Sequence, residues 1–176
     1  MVACVVLAAG ASTRFGSPKQ QLLLEPVLER VRGSSVDEVI VVLGAHELDT
    51  SARAVRCPDW ELGPGASLRC GLDVLRPETE AAVVVLADGP DLAPEAIDRV
   101  IGAWRTGSGP IVVATYGGIR LHPVLLDQEA WGLVPDEGAK GLDAVLVRCD
   151  DLGSPGDVDF TDEVPERLKP WSSRDP

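Results

Sequence analysis

The chain has no Cys-x-x-Cys pair. Its four cysteines, Cys4, Cys57, Cys70 and Cys149, are scattered. Buried unpaired thiols are the plain reading, with Cys4 in a strand pattern and Cys70 in a helical one. That usage suits a reducing cytoplasm. Excess base is missing too. With 16 Lys and Arg against 28 Asp and Glu the net charge is −12, whereas a nucleic-acid partner requires a basic face. A nucleotide survives this argument: at a Debye length of ~8 Å distant surface acids are screened, while cations gathered in one loop are not. No apolar run is long enough to span a membrane. The apolar start, Met1 to Gly10, lacks a basic leader and is too short for a secretory signal. Internal repeats and low-complexity segments are absent. The two histidines, His46 and His122, have no metal-ligand spacing, and His46 reads as a surface residue at a helix start.

What is present is globular. Apolar residues make up 45% and charged residues 25% of the chain. A chain of 176 residues can bury roughly 70% of its unfolded surface. We expect one domain over residues 1–168 and a loose tail over 169–176. Val2–Val6, Glu38–Leu43 and Ala81–Ala87 are near-continuous apolar runs, the mark of strands covered on both faces. Helical patterns lie between them. One starts near Pro26 and ends at Arg32, split from the apolar Gln21–Leu24 because an internal proline costs ~3 kcal/mol. Others cover His46–Val55, Ala66–Leu75, a stretch opened by Pro94, Gly138–Val147, and Asp162–Leu168. Pro110–Ala114 reads as a strand, and Tyr116-Gly117-Gly118-Ile119 turns it into a hairpin reaching Leu126. The alternation predicts an α/β fold, a three-layer α/β/α sandwich on a mostly parallel, Rossmann-like sheet with one antiparallel member.

The stretch Leu7–Lys19, LAAGASTRFGSPK, dominates the chemistry. A buried strand empties there into a loop with Gly10, Gly16 and the cations Arg14 and Lys19. Such loops aim backbone N–H groups at phosphate oxygens. Generic nucleotide motifs fail, since neither G-x-x-x-x-G-K-S/T nor G-x-G-x-x-G is present. In open α/β sheets ligands lie beyond the carboxyl ends of the strands. That end also carries Asp88, after the Ala81–Ala87 run. A carboxylate beside a phosphate loop suits Mg²⁺, which is held by one or two carboxylates plus substrate phosphates.

Together, LAAG, Ser12, Arg14-Phe15-Gly16 and Lys19 resemble the opening motif of the MobA-like molybdenum cofactor nucleotidyltransferases, closest to the cytidylyltransferase branch. The resemblance implies a nucleotide-diphospho-sugar transferase type of fold. Asp88-Gly89-Pro90 is similar to the family's metal-binding Asp-x-Pro, with Gly where the cytidine branch has Gln. Asp157-Val158-Asp159 resembles its late acidic motif, with Phe160-Thr161 in place of Thr-Pro. Pro58-Asp59-Trp60 with Gly65-Ala66-Ser67-Leu68-Arg69 resembles a nucleotide-pocket segment. His122-Pro123-Val124 and Glu137-Gly138-Ala139-Lys140-Gly141 resemble segments near the acceptor. The turn at Glu25-Pro26 and the segment from His46 to Cys57 are shorter than in the family.

By this resemblance Arg14, Lys19 and Asp88 are catalytic, and Leu7, Ala8, Ala9, Gly10, Ser12, Thr13, Arg14, Lys19, Ser67 and Asp88 bind the nucleotide. His122, Pro123 and Lys140 face the acceptor, and Asp88 and Asp159 hold Mg²⁺, with Mn²⁺ an alternative. The implied reaction moves a nucleoside monophosphate, CMP from CTP, onto a molybdopterin acceptor with release of pyrophosphate. Its implied partners are the triphosphate, that acceptor and a molybdenum hydroxylase, in the cytoplasm, with no nucleic acid and no membrane. Other readings remain open: a sugar-phosphate or guanylyl nucleotidyltransferase, a glycosyltransferase, or a non-catalytic carrier of the molybdenum cofactor.

Overall fold

Seven strands form one sheet in this computed structural model, which describes residues 1–12, 15 and 18–169. They are β1 (Val2–Ala8), β2 (Glu38–Leu43), β3 (Arg53–Arg56), β4 (Ala81–Leu86), β5 (Ile111–Tyr116), β6 (Ile119–Asp127) and β7 (Val145–Arg148). Their order across the sheet is β3-β2-β1-β4-β6-β5-β7. β1 lies parallel between β2 and β4, with Cys4 opposite Val39 on one side and Val83 on the other. β6 runs antiparallel to both β4 and β5, and β7 returns parallel to β5. The α/β sandwich with one antiparallel member is what the strand–helix alternation predicts.

Period-two alternation explains the runs of apolar residues. Val2, Cys4, Val6 and Ala8 of β1 point to the layer that holds α1 (Gln20–Arg32) and α3 (Pro94–Arg105). Val5, with Val42 and Val84, points to the layer of α2 (Pro64–Leu72). Covered on both faces, a strand has no solvent side to make polar. Gly71 lets α2 settle onto that face: a Cβ there would lie 2.5 Å from Val5 Cγ1.

Several local expectations are corrected. α1 does not break at Pro26 but runs through it. Its apolar face buries Leu23, Leu24, Val27, Leu28 and Val31. At about 1.5–3 kcal/mol per buried aliphatic side chain, that face outweighs the ~3 kcal/mol cost of the proline. Residues 45–52 form no helix. They turn and lead into edge strand β3, where parallel pairing with β2 takes up the backbone groups. The helix expected over Gly138–Val147 shrinks to a 3₁₀ turn at Ala139–Gly141, because Val145–Arg148 pair with β5 instead. Asp162–Leu168 form two 3₁₀ turns rather than a helix. Cys57 and Cys70 are joined in a disulfide, Cα to Cα 5.7 Å, so only Cys4 and Cys149 are buried thiols. The chain reversal after β3 carries Cys57 beneath α2, a proximity that their separation of 13 residues does not announce. Of the expected tail, Lys169 is described and pairs with Glu166; residues 170–176 lie outside the described ones.

The connection from β1 goes through α1 to β2 on one side, and the chain later returns through α2 to place β4 on the other side of β1. The strand order therefore reverses at β1. Ligand sites of open α/β sheets lie at such a point, beyond the carboxyl ends of the strands.

Candidate active site

A cleft of about 430 Å³ opens there, within the size range of small-molecule sites. One wall is the loop after β1 and the start of α1: Gly10, Ser12, Lys19 and Gln20. The facing wall is the 3₁₀ turn at Trp60–Leu62 and the start of α2, with Trp60, Gly63, Pro64 and Ser67. Leu7 and Ala9 at the end of β1, and Asp88 just past β4, form its base, and Asp159 reaches its edge.

Lys19 is its electrostatic centre. At the N-cap position of α1 and only 9% exposed, it sets Nζ 2.8 Å from Asp88 Oδ2 and 3.4 Å from Asp159 Oδ1. Nζ also donates to the Val158 carbonyl at 2.8 Å. Burial by itself lowers the pKa of the ammonium, but the hydrogen bonds and charges of Asp88 and Asp159 more than offset it, and the pKa ends above its ordinary value. Asp157 lies on the same short segment. Desolvation, then the charges of Asp88 and Asp159, raise its carboxyl above the usual range.

Backbone pairing places the two carboxylates. Ala87 N donates to Leu7 O at 3.0 Å, which carries the end of β4 beside β1. Val158 N donates to Asp88 O at 3.1 Å and Asp91 N to Pro155 O at 3.0 Å, so the acidic segment 155–159 is laced along residues 88–91. Glu163 Oε2 accepts from Asp159 N at 2.7 Å and Phe160 N at 2.9 Å and fixes the turn that presents Asp159. Gly89 has a steric reason: a Cβ would lie 3.1 Å from Pro155 O. The lacing thus leaves little room for a side chain at position 89.

A divalent cation suits this donor set. Asp88 and Asp159 already converge on one positive centre, and carboxylate oxygens are the ligands hard cations take. Among the described residues no group of three or more His, Cys, Asp or Glu has metal-site geometry. Two carboxylates could hold such an ion, with substrate phosphates and water completing its shell, as is common for Mg²⁺.

The other candidates divide. Leu7, Ala9, Gly10, Ser12, Lys19, Ser67, Asp88 and Asp159 share the cleft. Ala8 does not line it, because strand alternation buries its methyl group in the core under α1 and α3. Thr13 and Arg14 lie outside the described residues. His122 and Lys140 line a second cavity of about 70 Å³ that shares Leu86 and Asp88 with the cleft. Pro123 is buried within β6 and lines neither. His122 sits in β6, where the register against β5 shifts. Burial pushes its pKa down to about 4, so the imidazole is neutral at pH 7. Its Nδ1 is buried with no partner among the described residues.

Two residues beside the β1 loop, Gln20 and His46, escaped the sequence reading, whereas Trp60, part of the segment marked by the resemblance, lines the cleft. Trp60 packs so closely on Gly44 that a Cβ at 44 would lie 2.7 Å from its ring. Gln20 donates from Nε2 to Gly10 O at 2.9 Å and accepts from Ser12 Oγ at 2.7 Å. His46, far from a helix start, places Nε2 3.0 Å from Ala11 O. One signal was available. Gln20 is a polar residue at the first position of an amphipathic helix, and His46 lies three residues past the end of β2, at the carboxyl edge of the sheet.

The sequence profile of the MobA-like NTP transferase domain matches residues 4–151. The chain belongs to that family. Rv0371c from Mycobacterium tuberculosis H37Rv, solved in complex with manganese, is 27% identical with a TM-score of 0.73, covering 95% of this chain and 97% of that one. The 3-deoxy-manno-octulosonate cytidylyltransferase of Anaeromyxobacter dehalogenans is 35% identical over 120 residues, 61% of this chain and 48% of its own. The bifunctional protein GlmU of Cutibacterium acnes is 31% identical over 131 residues, 65% of this chain and 31% of its own. This MobA-like domain thus spans a third to a half of the length of those curated relatives. Among the described residues no helix is long and apolar enough to cross a membrane.

Proposed function

We propose that this MobA-like domain is a cytidylyltransferase that transfers CMP from CTP to a phosphorylated acceptor, molybdopterin, with Mg²⁺ or Mn²⁺ held by Asp88 and Asp159. The observation that carries the reading is the Lys19 ammonium set between those two carboxylates at the mouth of the β1 loop. It combines the cation that grips phosphates with the acids that grip a metal.

An acceptor phosphate oxygen attacks the α-phosphorus of the triphosphate. A bond forms from that oxygen to phosphorus, the bond to the bridging oxygen breaks, and pyrophosphate leaves with the electron pair. A phosphate monoester is ionised near neutral pH, so no side chain has to remove a proton. Catalysis then rests on positioning and charge neutralisation. When bound, the metal ion offsets charge on the phosphate oxygens. Lys19 and Arg14 hold the leaving phosphates, the loop N–H groups line them, and Ser67 contacts the nucleoside. The base lies beside Leu7 and Ala9, where the Ala9 methyl group narrows the space for a purine. His122 and Lys140, in the cavity that joins the cleft through Asp88, face the acceptor. The domain works in the cytoplasm and hands its product to a molybdenum hydroxylase.

One observation favours a second reading: the relative that acts on 3-deoxy-manno-octulosonate matches 61% of this chain. A sugar acid is therefore the competing acceptor. The test offers equal CTP and GTP with Mg²⁺ and either molybdopterin or 3-deoxy-manno-octulosonate, and follows pyrophosphate release and the product formed. The cytosine dinucleotide of molybdopterin is expected. A guanine product overturns the base assignment, product only from the sugar acid overturns the acceptor, and no pyrophosphate with any pair overturns the reading as a transferase.

A further inference from the structure

We propose that Gln20 and His46 are positioning residues of the phosphate loop, which hold its carbonyls inward so that its N–H groups face the triphosphate. The inference rests on the nucleotidyl-transfer reading above. Four consecutive carbonyls of the loop are each taken by a donor of the protein. Ala9 O accepts from Ala45 N at 3.0 Å and Ser12 O from Phe15 N at 3.0 Å. Between them, Gly10 O accepts from Gln20 Nε2 at 2.9 Å and Ala11 O from His46 Nε2 at 3.0 Å. Among the described residues, no acceptor is found for the N–H groups of Gly10, Ala11 and Ser12. The loop has its acceptors satisfied and its donors open, the state an anion site requires.

Peptide geometry links the two halves of this pattern. In a planar trans peptide the C=O of one residue and the N–H of the next point in opposite directions. Holding Gly10 O against Gln20 turns the Ala11 N–H the other way. Holding Ala11 O against His46 does the same for the Ser12 N–H. The two contacts come from different elements, the first residue of α1 and the turn after β2, so each restrains one peptide plane.

Ser12 shows why a restraint is needed. Its φ is +52°, a left-handed conformation that a non-glycine residue adopts at a cost of about 1–2 kcal/mol. Such a residue persists where its surroundings over-determine it. Gln20 does this with both ends of its carboxamide, since Oε1 accepts from Ser12 Oγ at 2.7 Å while Nε2 holds Gly10 O. At 4% exposure Gln20 has no solvent alternative for either end. His46, by contrast, is only partly buried, so replacing it leaves the core untouched.

The experiment measures affinities of CTP and of cytidine, each with Mg²⁺, by calorimetry on the wild type and on Gln20→Met, His46→Leu and His46→Gln. One hydrogen bond of ordinary strength corresponds to a loss of about fivefold. Gln20→Met and His46→Leu should each weaken CTP about 5- to 10-fold and change cytidine less than twofold. His46→Gln retains an amide N–H for Ala11 O and should stay within about twofold of the wild type. A bystander histidine would show no such rescue. Equal losses for CTP and cytidine, no loss for His46→Leu, or His46→Gln as weak as His46→Leu overturns the inference. Should Gln20→Met not fold, the His46 pair decides. A wild type that binds neither CTP nor another triphosphate overturns the transferase reading itself, an outcome distinct from unchanged variants on a binding wild type.

Discussion

The two walls of the cleft are built on different physical principles. The wall formed by the β1 loop and α1 is held by polar contacts: Gln20 and His46 to loop carbonyls, and Lys19 to Asp88 and Asp159. The wall formed by residues 60–67 is held chiefly by covalent and steric means, with one backbone hydrogen bond from Gly65 N to Asp136 O at 2.9 Å. The Cys57–Cys70 disulfide closes a loop that contains Trp60, Gly63, Pro64 and Ser67. Gly63, with φ +124°, and Gly65 press the start of α2 against the backbone of Pro135 and Asp136. In this MobA-like domain the first wall carries the charge, and with it the proposed chemistry, while the second carries shape. Changes to the first should alter turnover or ligand preference at constant stability. Changes to the second should alter stability and reach the ligand only through it.

Asp88→Asn on the first wall has the largest expected effect. The amide keeps the volume but removes the charge that Asp88 gives to Lys19 and, in the proposed reaction, to the metal ion. Loss of several kcal/mol of charge stabilisation lowers turnover by about 10³-fold or more. The melting temperature should stay close to that of the wild type. Turnover near the wild-type rate with Mg²⁺ would remove Asp88 from the metal site, and a large fall in melting temperature would collapse the distinction between the walls.

Gly65→Ala is the counterpart on the second wall. Its Cβ would lie 1.7 Å from Pro135 O, a backbone atom that cannot rotate away. Overpacking of this kind costs about 3 kcal/mol, or a fall of about 6–12 °C in melting temperature for a chain of this size. The scan is run on folded protein, and a shift under 2 °C would show that the α2 start is not pinned there. The disulfide should act next. It closes a loop of separation 13, and cross-links on loops of that size contribute about 3 kcal/mol in the chain-entropy account, less where the native state relaxes. Treatment with dithiothreitol should lower the melting temperature of the wild type and leave that of the Cys57→Ser/Cys70→Ser double variant unchanged. An unmoved wild type would mean that the contacts to Pro135 and Asp136 hold this wall without the cross-link.

The same contrast explains what could be read in the chain before its structure. The strands were legible because burial on both faces forces near-continuous apolar runs, as in β1, β2 and β4. Lys19 and Asp88 were marked by the resemblance and by their place in the loops beyond β1 and β4, and the structure brings both into one cleft. The shaping wall was not, since its determinants are contacts between distant residues: Gly65 with Pro135, and Cys57 with Cys70. Gln20 and His46 escaped for a related reason. An amide or an imidazole holding a carbonyl looks in sequence like any surface polar residue. The short β7 and the run through Pro26 were misread where tertiary pairing and burial override local propensity.

The smallest expected effect separates the two roles of Lys19 within the first wall. In the structure its ammonium neutralises the carboxylates that a divalent cation would use, so lysine and metal compete for the same oxygens. Lys19→Met keeps the length and apolar stem of the side chain and removes the charge. Without nucleotide, Mn²⁺ should then bind about 5- to 10-fold more tightly, because two like charges no longer contend for one pair of acids. With CTP present the sign should reverse. The lost contact to the leaving phosphates weakens the complex, at about 1.5–3 kcal/mol for a charge-assisted hydrogen bond. Mn²⁺ titration followed by electron paramagnetic resonance, with and without CTP, reads both effects on one variant. Opposite signs in the two titrations are the expected result. Weaker Mn²⁺ binding in the absence of nucleotide would mean that Lys19 helps to organise the carboxylates rather than competing for them, and the charge balance of this wall would have to be redrawn.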